Sequence, residues 1–178
     1  MIFTQRLRSF GKARQGLAAL EFAILLPMMV FLLFGAVELV DVMGANRRVE
    51  NTSSSLADVV SRDTEVTDDE VEGMWRAIEL LMTPDDPTAL NIRLTSISVE
   101  DATTARVVWS EGRGMAARVA NSTVTLPDGM MRPGTSVIMA ESEYTYNSPI
   151  GMVIGSPMQL GHTVYRRSRL IDPIPRES

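Results

Sequence analysis

The 178-residue chain contains no cysteine, and this absence excludes several kinds of chemistry. Disulfide bonds, thiolate catalysis and cysteine-ligated metal sites all need that side chain, so the fold must be held together by packing. His162 is the only histidine, and no sequence signature supplies it with a nucleophile or an orienting carboxylate. No acidic cluster has calcium-loop spacing, and no serine lies in a nucleophile elbow. We therefore predict that the protein is not an enzyme and needs no metal or cofactor.

Charge is scarce in one part of the chain and unevenly distributed around it. The run from Leu17 to Val37, about 21 residues or roughly 31 Å of helix, contains Glu21 as its only ionisable side chain. Four basic residues and no acidic residue precede the run: Arg6, Arg8, Lys12 and Arg14. Acidic residues follow it, so the positive-inside rule places the N-terminus in the cytoplasm and the bulk of the chain across the membrane. We predict a transmembrane helix over residues 17–40, with a local bend at Pro27.

Three interpretations of this N-terminal segment remain open. It is a secretory signal cut near Gly35, a plain single-span anchor, or a prepilin-like signal cut after Gly16 with the span retained. A charged glutamate within such a run costs about 2.5–3.5 kcal/mol, so Glu21 is expected to have a partner. The prepilin-like interpretation is favoured because it alone uses the glycine, the glutamate and the apolar run together.

The sequence of residues 14–27, RQGLAALEFAILLP, resembles the processing site of bacterial type IV-like prepilins. It is most similar to the TadE-like (TadE/TadF) minor pilins or pseudopilins of tight-adherence (Flp, type IVb-like) pilus systems. The resemblance implies that a prepilin peptidase removes a leader, residues 1–16, and leaves Leu17 as the first, usually methylated, residue. Glu21 is then the carboxylate that meets a neighbouring subunit's terminal amine and sets the register, and Phe22 is the aromatic residue expected after it.

The resemblance continues beyond the span. Gly35-Ala36-Val37-Glu38-Leu39 is similar to the family's glycine-x-x-glutamate exit from the membrane, which makes Gly35 and Glu38 candidate exit residues. Tyr144–Pro149 and Tyr165–Leu170 are similar to its closing strands, but Ser168 stands where a proline is common, so a TadE, TadF or TadG type stays open. The implied partners are other Tad/Flp pilins and minor pilins, the prepilin peptidase, the inner-membrane assembly platform and the lipid bilayer. The acidic net charge of −5 argues against nucleic acid.

Apolar periodicity predicts that the first helix continues over residues 41–62. The stripe formed by Val42, Ala45, Val49, Thr52, Leu56 and Val59 is a packing face, for the protein's own domain or for a partner helix. Thr67 and Glu70 form a capping box that starts a second helix. The apolar face of that helix is formed by Val71, Met74, Trp75, Ile78, Leu81 and Met82.

The remaining chain indicates a sheet. Strands are predicted over Ile92–Val99, Ala105–Trp109, Val137–Tyr146 and Leu160–Leu170, whereas Met115–Asn121 is ambiguous between helix and strand. We expect Arg167 or Arg169 to face Glu141 or Glu143 across an antiparallel pair. The fold class is therefore α+β and pilin-like: a long N-terminal transmembrane helix, then a globular periplasmic domain over residues 63–178 with a second helix and an antiparallel sheet of about four strands.

An apolar, glycine- and proline-rich segment separates the last two predicted strands, at Ser148–Met158. It is either a loop folded over the core or an exposed contact for a pilus partner or the membrane surface. In the second interpretation the contact residues are Ile150, Met152, Val153 and Ile154.

The favoured function is a minor pilin or pseudopilin for assembly of a Tad/Flp adhesion pilus. The expected location is the bacterial inner membrane, with a cytoplasmic N-terminus and a periplasmic C-terminal domain, or an extracellular pilus. The alternative is a single-span, membrane-anchored periplasmic binding protein that does not enter a pilus. A secreted enzyme released by signal peptidase is the third class, and it requires a mature chain that lacks residues 22–34.

Overall fold

The computed structural model describes residues 14–177, with side chains from Gly16 onwards, and has an α+β fold. Most of the predicted leader, residues 1–16, therefore lies outside the described residues. The helices are α1 (Arg14–Ser61), α2 (Asp68–Leu81) and a 3₁₀ turn (Pro87–Ala89), and the strands are β1 (Leu90–Val99), β2 (Ala105–Arg113), β3 (Ser136–Tyr146) and β4 (Met158–Arg167). This confirms the predicted fold class of a long N-terminal apolar helix, a second helix and a four-stranded antiparallel sheet.

Two compact units share the chain. One contains the first part of α1 up to Asp41 together with Ser148–Ser156, and the other contains Val42–Asn147 together with the residues from Pro157. The segment 148–156 interrupts the second unit between β3 and β4. This segment, which separates two neighbouring strands in the sequence, thus belongs to the same compact unit as the N-terminal part of α1.

The helix α1 is continuous from Arg14 to Ser61 and passes through Pro27 without interruption. Its first part is apolar on all sides, whereas the part after Asp41 carries a stripe of buried residues at steps of three and four. Val42, Ala45, Val49 and Leu56 of the predicted stripe are buried, as is Thr52. The prediction for Val59 is wrong: Val59 is 56% exposed and Val60 is buried, because the helical period advances the stripe by four residues after Leu56.

The helix α2 begins where the sequence predicts. The Thr67 hydroxyl accepts a hydrogen bond from the Glu70 backbone N–H, and a Glu70 carboxylate oxygen accepts one from the Thr67 backbone N–H at 2.8 Å. This confirms the capping box. The predicted apolar face is buried at four positions: Val71, Met74, Ile78 and Met82. Leu81 departs from the prediction, since it lies at the helix end and is 39% exposed.

The four strands form one antiparallel sheet in the order β2-β1-β3-β4. One face of β3 is buried at alternate positions, from Ile138 to Tyr146, and the Ser142 hydroxyl on that face accepts a hydrogen bond from Ser53 of α1 at 2.7 Å. The later part of α1 therefore packs on this face. The ambiguous segment Met115–Asn121 forms neither a helix nor a strand.

The predicted pairing of arginines with glutamates across β3 and β4 is wrong. The strand register places Glu141 opposite Thr163 and Glu143 opposite Gly161, while Arg167 lies opposite Val137. Arg169 lies beyond the end of β4, and its guanidinium instead contacts Asp58 of α1 at 2.5 Å. The register depends on the length and path of the long connection between the two strands, which local alternation does not reveal.

Candidate functional site

The first part of α1 exposes a surface that is apolar on every side. Its large apolar side chains range from 37% exposed at Phe34 to 71% exposed at Val40. The mean hydropathy of its most apolar 18-residue window is 2.4, and none of that window is buried within the chain. An exposed apolar surface of bilayer length is unfavourable in water and favourable in lipid. The helix therefore fits a single membrane span.

The predicted processing and register residues all lie at the start of this surface. Gly16, Leu17, Glu21 and Phe22 are exposed positions of one continuous helix. A Cβ added to Gly16 would meet no atom within 4 Å, so packing within the chain does not require glycine there. Leu17 and Glu21 are four residues apart and share one side of the helix. The arrangement leaves the Glu21 carboxylate accessible to another molecule within the apolar surface.

Glu38 differs from Glu21 because the chain itself surrounds its carboxylate. The Glu38 side chain is buried although it lies on the apolar part of α1. Its Oε1 accepts the backbone N–H of Met152 at 2.6 Å, and its Oε2 accepts those of Val153 at 2.9 Å and Ile154 at 2.7 Å. Three successive backbone donors thus converge on one carboxylate. Bonds of this kind to an ionised acceptor are about twice as strong as neutral ones.

Gly35 lies one helical turn before Glu38 and faces the same segment. A Cβ added at Gly35 would lie 3.3 Å from a methyl carbon of Val153, which is closer than ordinary contact. Gly151 has a φ of +65°, a conformation that favours glycine, and precedes the first donor. The glycine-x-x-glutamate spacing therefore gives α1 one face, formed by Gly35 and Glu38, on which the segment 148–156 docks.

The docked segment leaves its apolar side chains outside. Ile150 is 40% exposed, Met152 is 48% exposed and Val153 is 49% exposed, whereas Ile154 is partly buried. Beside them lies an open groove of about 490 Å³ with an almost entirely apolar lining. Its lining residues are Leu33, Ala36, Val37, Glu38, Val40, Asp41, Pro149 and Ile150. The backbone of this segment is bound to α1 at Glu38, and the two interpretations of the segment stay predictions.

The sequence did not reveal this contact. Glu38 and the donor at Val153 are 115 residues apart, and no local pattern links a helix carboxylate to a distant loop. The only available signal was the i, i+3 spacing of Gly35 and Glu38, which places both residues on one side of a helix.

Polar clusters elsewhere have structural explanations. Glu141 accepts hydrogen bonds from Arg93 at 2.8 Å and from Arg118 at 2.8 Å and 3.1 Å. Burial alone would raise the pKa of Glu141, but the bonds from Arg118 and Arg93 outweigh it and leave the pKa below its usual value. The His162 ring nitrogen Nε2 lies 2.9 Å from the amide oxygen of Asn46. Across residues 14–177 no three histidine or acidic side chains form a cluster that would hold a metal ion.

The geometry defines a class of protein with one exposed apolar helix that fits a membrane span, attached to a packed α+β unit. Residues 16–58 match the family model of TadE-like proteins, which confirms the resemblance over this quarter of the chain. The matched residues include Gly16, Glu21, Gly35 and Glu38. The matched family consists of structural proteins associated with Tad pili. No curated protein and no solved structure matches the chain.

Proposed function

We propose that the chain is a minor pilin or pseudopilin for assembly of a Tad/Flp adhesion pilus. A prepilin peptidase cleaves it after Gly16, and the mature subunit packs among other pilins through its N-terminal helix. The observation that carries the proposal is the exposed apolar surface of α1 with an accessible carboxylate, Glu21, at the fifth position after Gly16. The family match over residues 16–58 supports it.

Assembly follows from the chemistry of that surface. A carboxylate in an apolar environment is costly alone and much less so beside an opposite charge. The terminal amine of a neighbouring mature subunit supplies that charge, so Glu21 fixes the axial register between two helices. The surrounding apolar side chains, Phe22 among them, then contribute van der Waals contact. The subunit inserts in the inner membrane with its N-terminus cytoplasmic and its packed unit periplasmic, beside the assembly platform.

Processing can be tested directly because Lys12 is the only lysine in the sequence. In cells supplied with labelled lysine and labelled arginine, a mature chain cut after Gly16 should carry the arginine label and no lysine label. Its first tryptic peptide should begin at Leu17, whereas an unprocessed chain gives a peptide that begins at Gln15. Membrane-bound protein that retains Lys12 would contradict the proposal and favour the anchored binding protein.

A matched pair of variants identifies the cleavage site. Gly16→Val should block loss of the lysine label, whereas Gly11→Val changes another glycine of the same leader and should leave processing intact. A chain that begins beyond Gly35 would indicate signal peptidase instead and a released domain. Normal processing of Gly16→Val would place the cut elsewhere.

The role of Glu21 is tested by Glu21→Ala. Breaking a buried charge pair typically costs about 3–5 kcal/mol, so this variant should insert and be processed normally but be nearly absent from sheared pili. Glu50→Ala is the control, because Glu50 is an exposed carboxylate on the same helix. Quantitative immunoblots of the membrane and pilus fractions measure both variants. Normal incorporation of Glu21→Ala would contradict the register role.

A further inference from the structure

The segment 148–156 combines an exposed apolar surface with a fixed backbone. Ile150, Met152 and Val153 point outward, each between 40% and 49% exposed. Three successive backbone N–H groups of the same segment donate to Glu38. A loop that is solvated on all sides can satisfy its N–H groups with water, whereas a loop beside hydrocarbon needs donors and acceptors within the chain. The segment therefore has the bonding expected of a loop at an apolar boundary.

The position of the segment along α1 is also defined. It docks on Gly35 and Glu38, and the apolar run of the helix ends at Val37. Residues in a helix rise 1.5 Å each, so the docking face lies within about 5 Å of the end of that run. When the run crosses a bilayer, the segment lies where hydrocarbon meets headgroups. The apolar groove lined by Leu33 and Ile150 opens at the same level.

We propose that residues 148–156 form an interfacial membrane-binding loop, with the lipid bilayer as its partner. Ile150, Met152 and Val153 enter the boundary of the leaflet that surrounds the end of the span, and lipid acyl chains cover the groove. Glu38 is the positioning residue that holds the loop at this depth. The inference requires that α1 spans the membrane, but it requires neither cleavage after Gly16 nor entry into a pilus. The loop proposal can therefore fail while the proposed function stands, and the proposed function can fail while the loop proposal stands.

The test uses the full chain in phosphatidylcholine vesicles at a low protein-to-lipid ratio. Because the sequence has no cysteine, Val153→Cys and Val119→Cys each carry a single environment-sensitive fluorophore. Val119 is a matched control, since it is an apolar residue that is 76% exposed on the other unit. The label at position 153 should shift to the blue and be quenched by lipids that carry bromine near the headgroup. The label at position 119 should show neither effect.

The role of Glu38 is tested in the same labelled chains. Glu38→Ala removes all three acceptor contacts and should abolish most of the quenching at position 153, whereas Glu50→Ala on the exposed side of the same helix should not. Glu38→Gln keeps the size of the side chain and one acceptor oxygen, and should give an intermediate loss. Tryptophan fluorescence monitors the fold, because Trp75 and Trp109 both lie in the other unit.

Two results would overturn the inference. One is a label at position 153 that lipid does not quench in the unsubstituted background. The other is a blue shift that develops only as the protein-to-lipid ratio rises, because the loop would then contact another copy of the chain. Quenching at position 153 that survives Glu38→Ala unchanged would remove Glu38 from the proposal.

Discussion

The two parts of α1 are one helix in two environments. Between Leu17 and Phe34 the large apolar side chains are at least 37% exposed, whereas Val42, Ala45, Val49 and Leu56 are at most 7% exposed. Both parts are rich in apolar residues, but only the second shows them as a stripe. A helix that is apolar on all sides needs an apolar solvent, while a striped helix needs one packed neighbour. The first part therefore needs an apolar environment outside the chain, which a membrane provides, and the second packs on its own unit.

The carboxylates of the chain also differ in their exposure and in the groups that bind them. Glu21 lies exposed on an apolar surface, whereas Glu38 is buried and bound by the chain's own backbone. In the packed unit, Glu141 is held by two arginines. The comparison teaches that the chain itself binds the buried carboxylates, whereas the exposed carboxylate of Glu21 lies where the proposed subunit contact would use it.

The largest expected effect is a loss of stability of the packed unit in the variant Ile78→Ala. Ile78 is fully buried on α2, so the substitution should lower the free energy of unfolding by about 2–5 kcal/mol. The control Leu80→Ala removes a side chain that is 81% exposed on the same helix, and it should change stability by less than about 0.5 kcal/mol.

Denaturation of the full chain in detergent micelles, followed by tryptophan fluorescence, measures both variants. The two tryptophans, Trp75 and Trp109, report on the packed unit alone. Membrane fractionation should find both variants inserted, because the span is unchanged. Two results would contradict the distinction between the membrane-spanning part and the packed unit. One is a loss of membrane insertion in Ile78→Ala, and the other is an equal loss in the free energy of unfolding for Leu80→Ala.

The features that the sequence predicts correctly all depend on local patterns. The length and composition of the run from Leu17 define the first helix, and the hydroxyl of Thr67 with the carboxylate of Glu70 defines the start of α2. Alternation of apolar residues reveals β3. Each of these signals lies within a few residues of the structure it specifies, so a single sequence suffices.

The features that it misses depend on contacts between distant residues. Glu38 bonds to a loop 114–116 residues away, and Glu141 pairs with Arg93 and Arg118 rather than with the arginines of β4. Strand register and loop docking depend on the packing of the whole unit. The sequence allows several arginine–glutamate pairings, and local patterns do not select among them. Leader cleavage, register between subunits and the membrane-facing loop stay predictions, because they concern molecules other than this chain.

A smaller effect is expected from Glu141→Ala. The carboxylate is 18% exposed and joins β3 to Arg93 of β1 and to Arg118, so its removal leaves two partly buried guanidinium groups with fewer acceptors. We expect a loss of about 1–3 kcal/mol in the free energy of unfolding. The control Glu143→Ala removes an exposed carboxylate two residues along the same strand and should be nearly neutral. Equal stability of the two variants would show that the cluster contributes little to the packed unit.

The smallest expected effect is the acid response of the β1–β2 turn. One Asp101 oxygen accepts hydrogen bonds from the backbone N–H of Thr103 and Thr104, each at 2.7 Å, and from the Thr103 hydroxyl at 2.8 Å. The backbone bond from Thr103, followed by the bonds from the threonine hydroxyls, lowers the pKa of Asp101 from 3.8 to about 2. The folded turn therefore favours the ionised carboxylate.

The sign of the pH dependence follows from that lowered pKa. The contribution of Asp101 to stability is complete above pH 3.8 and is lost as the pH falls through about 2. Amide resonances of Thr103 and Thr104, followed by NMR between these values, should shift in the unsubstituted chain and stay flat in Asp101→Asn. A flat titration in the unsubstituted chain would show that the turn does not depend on this charge.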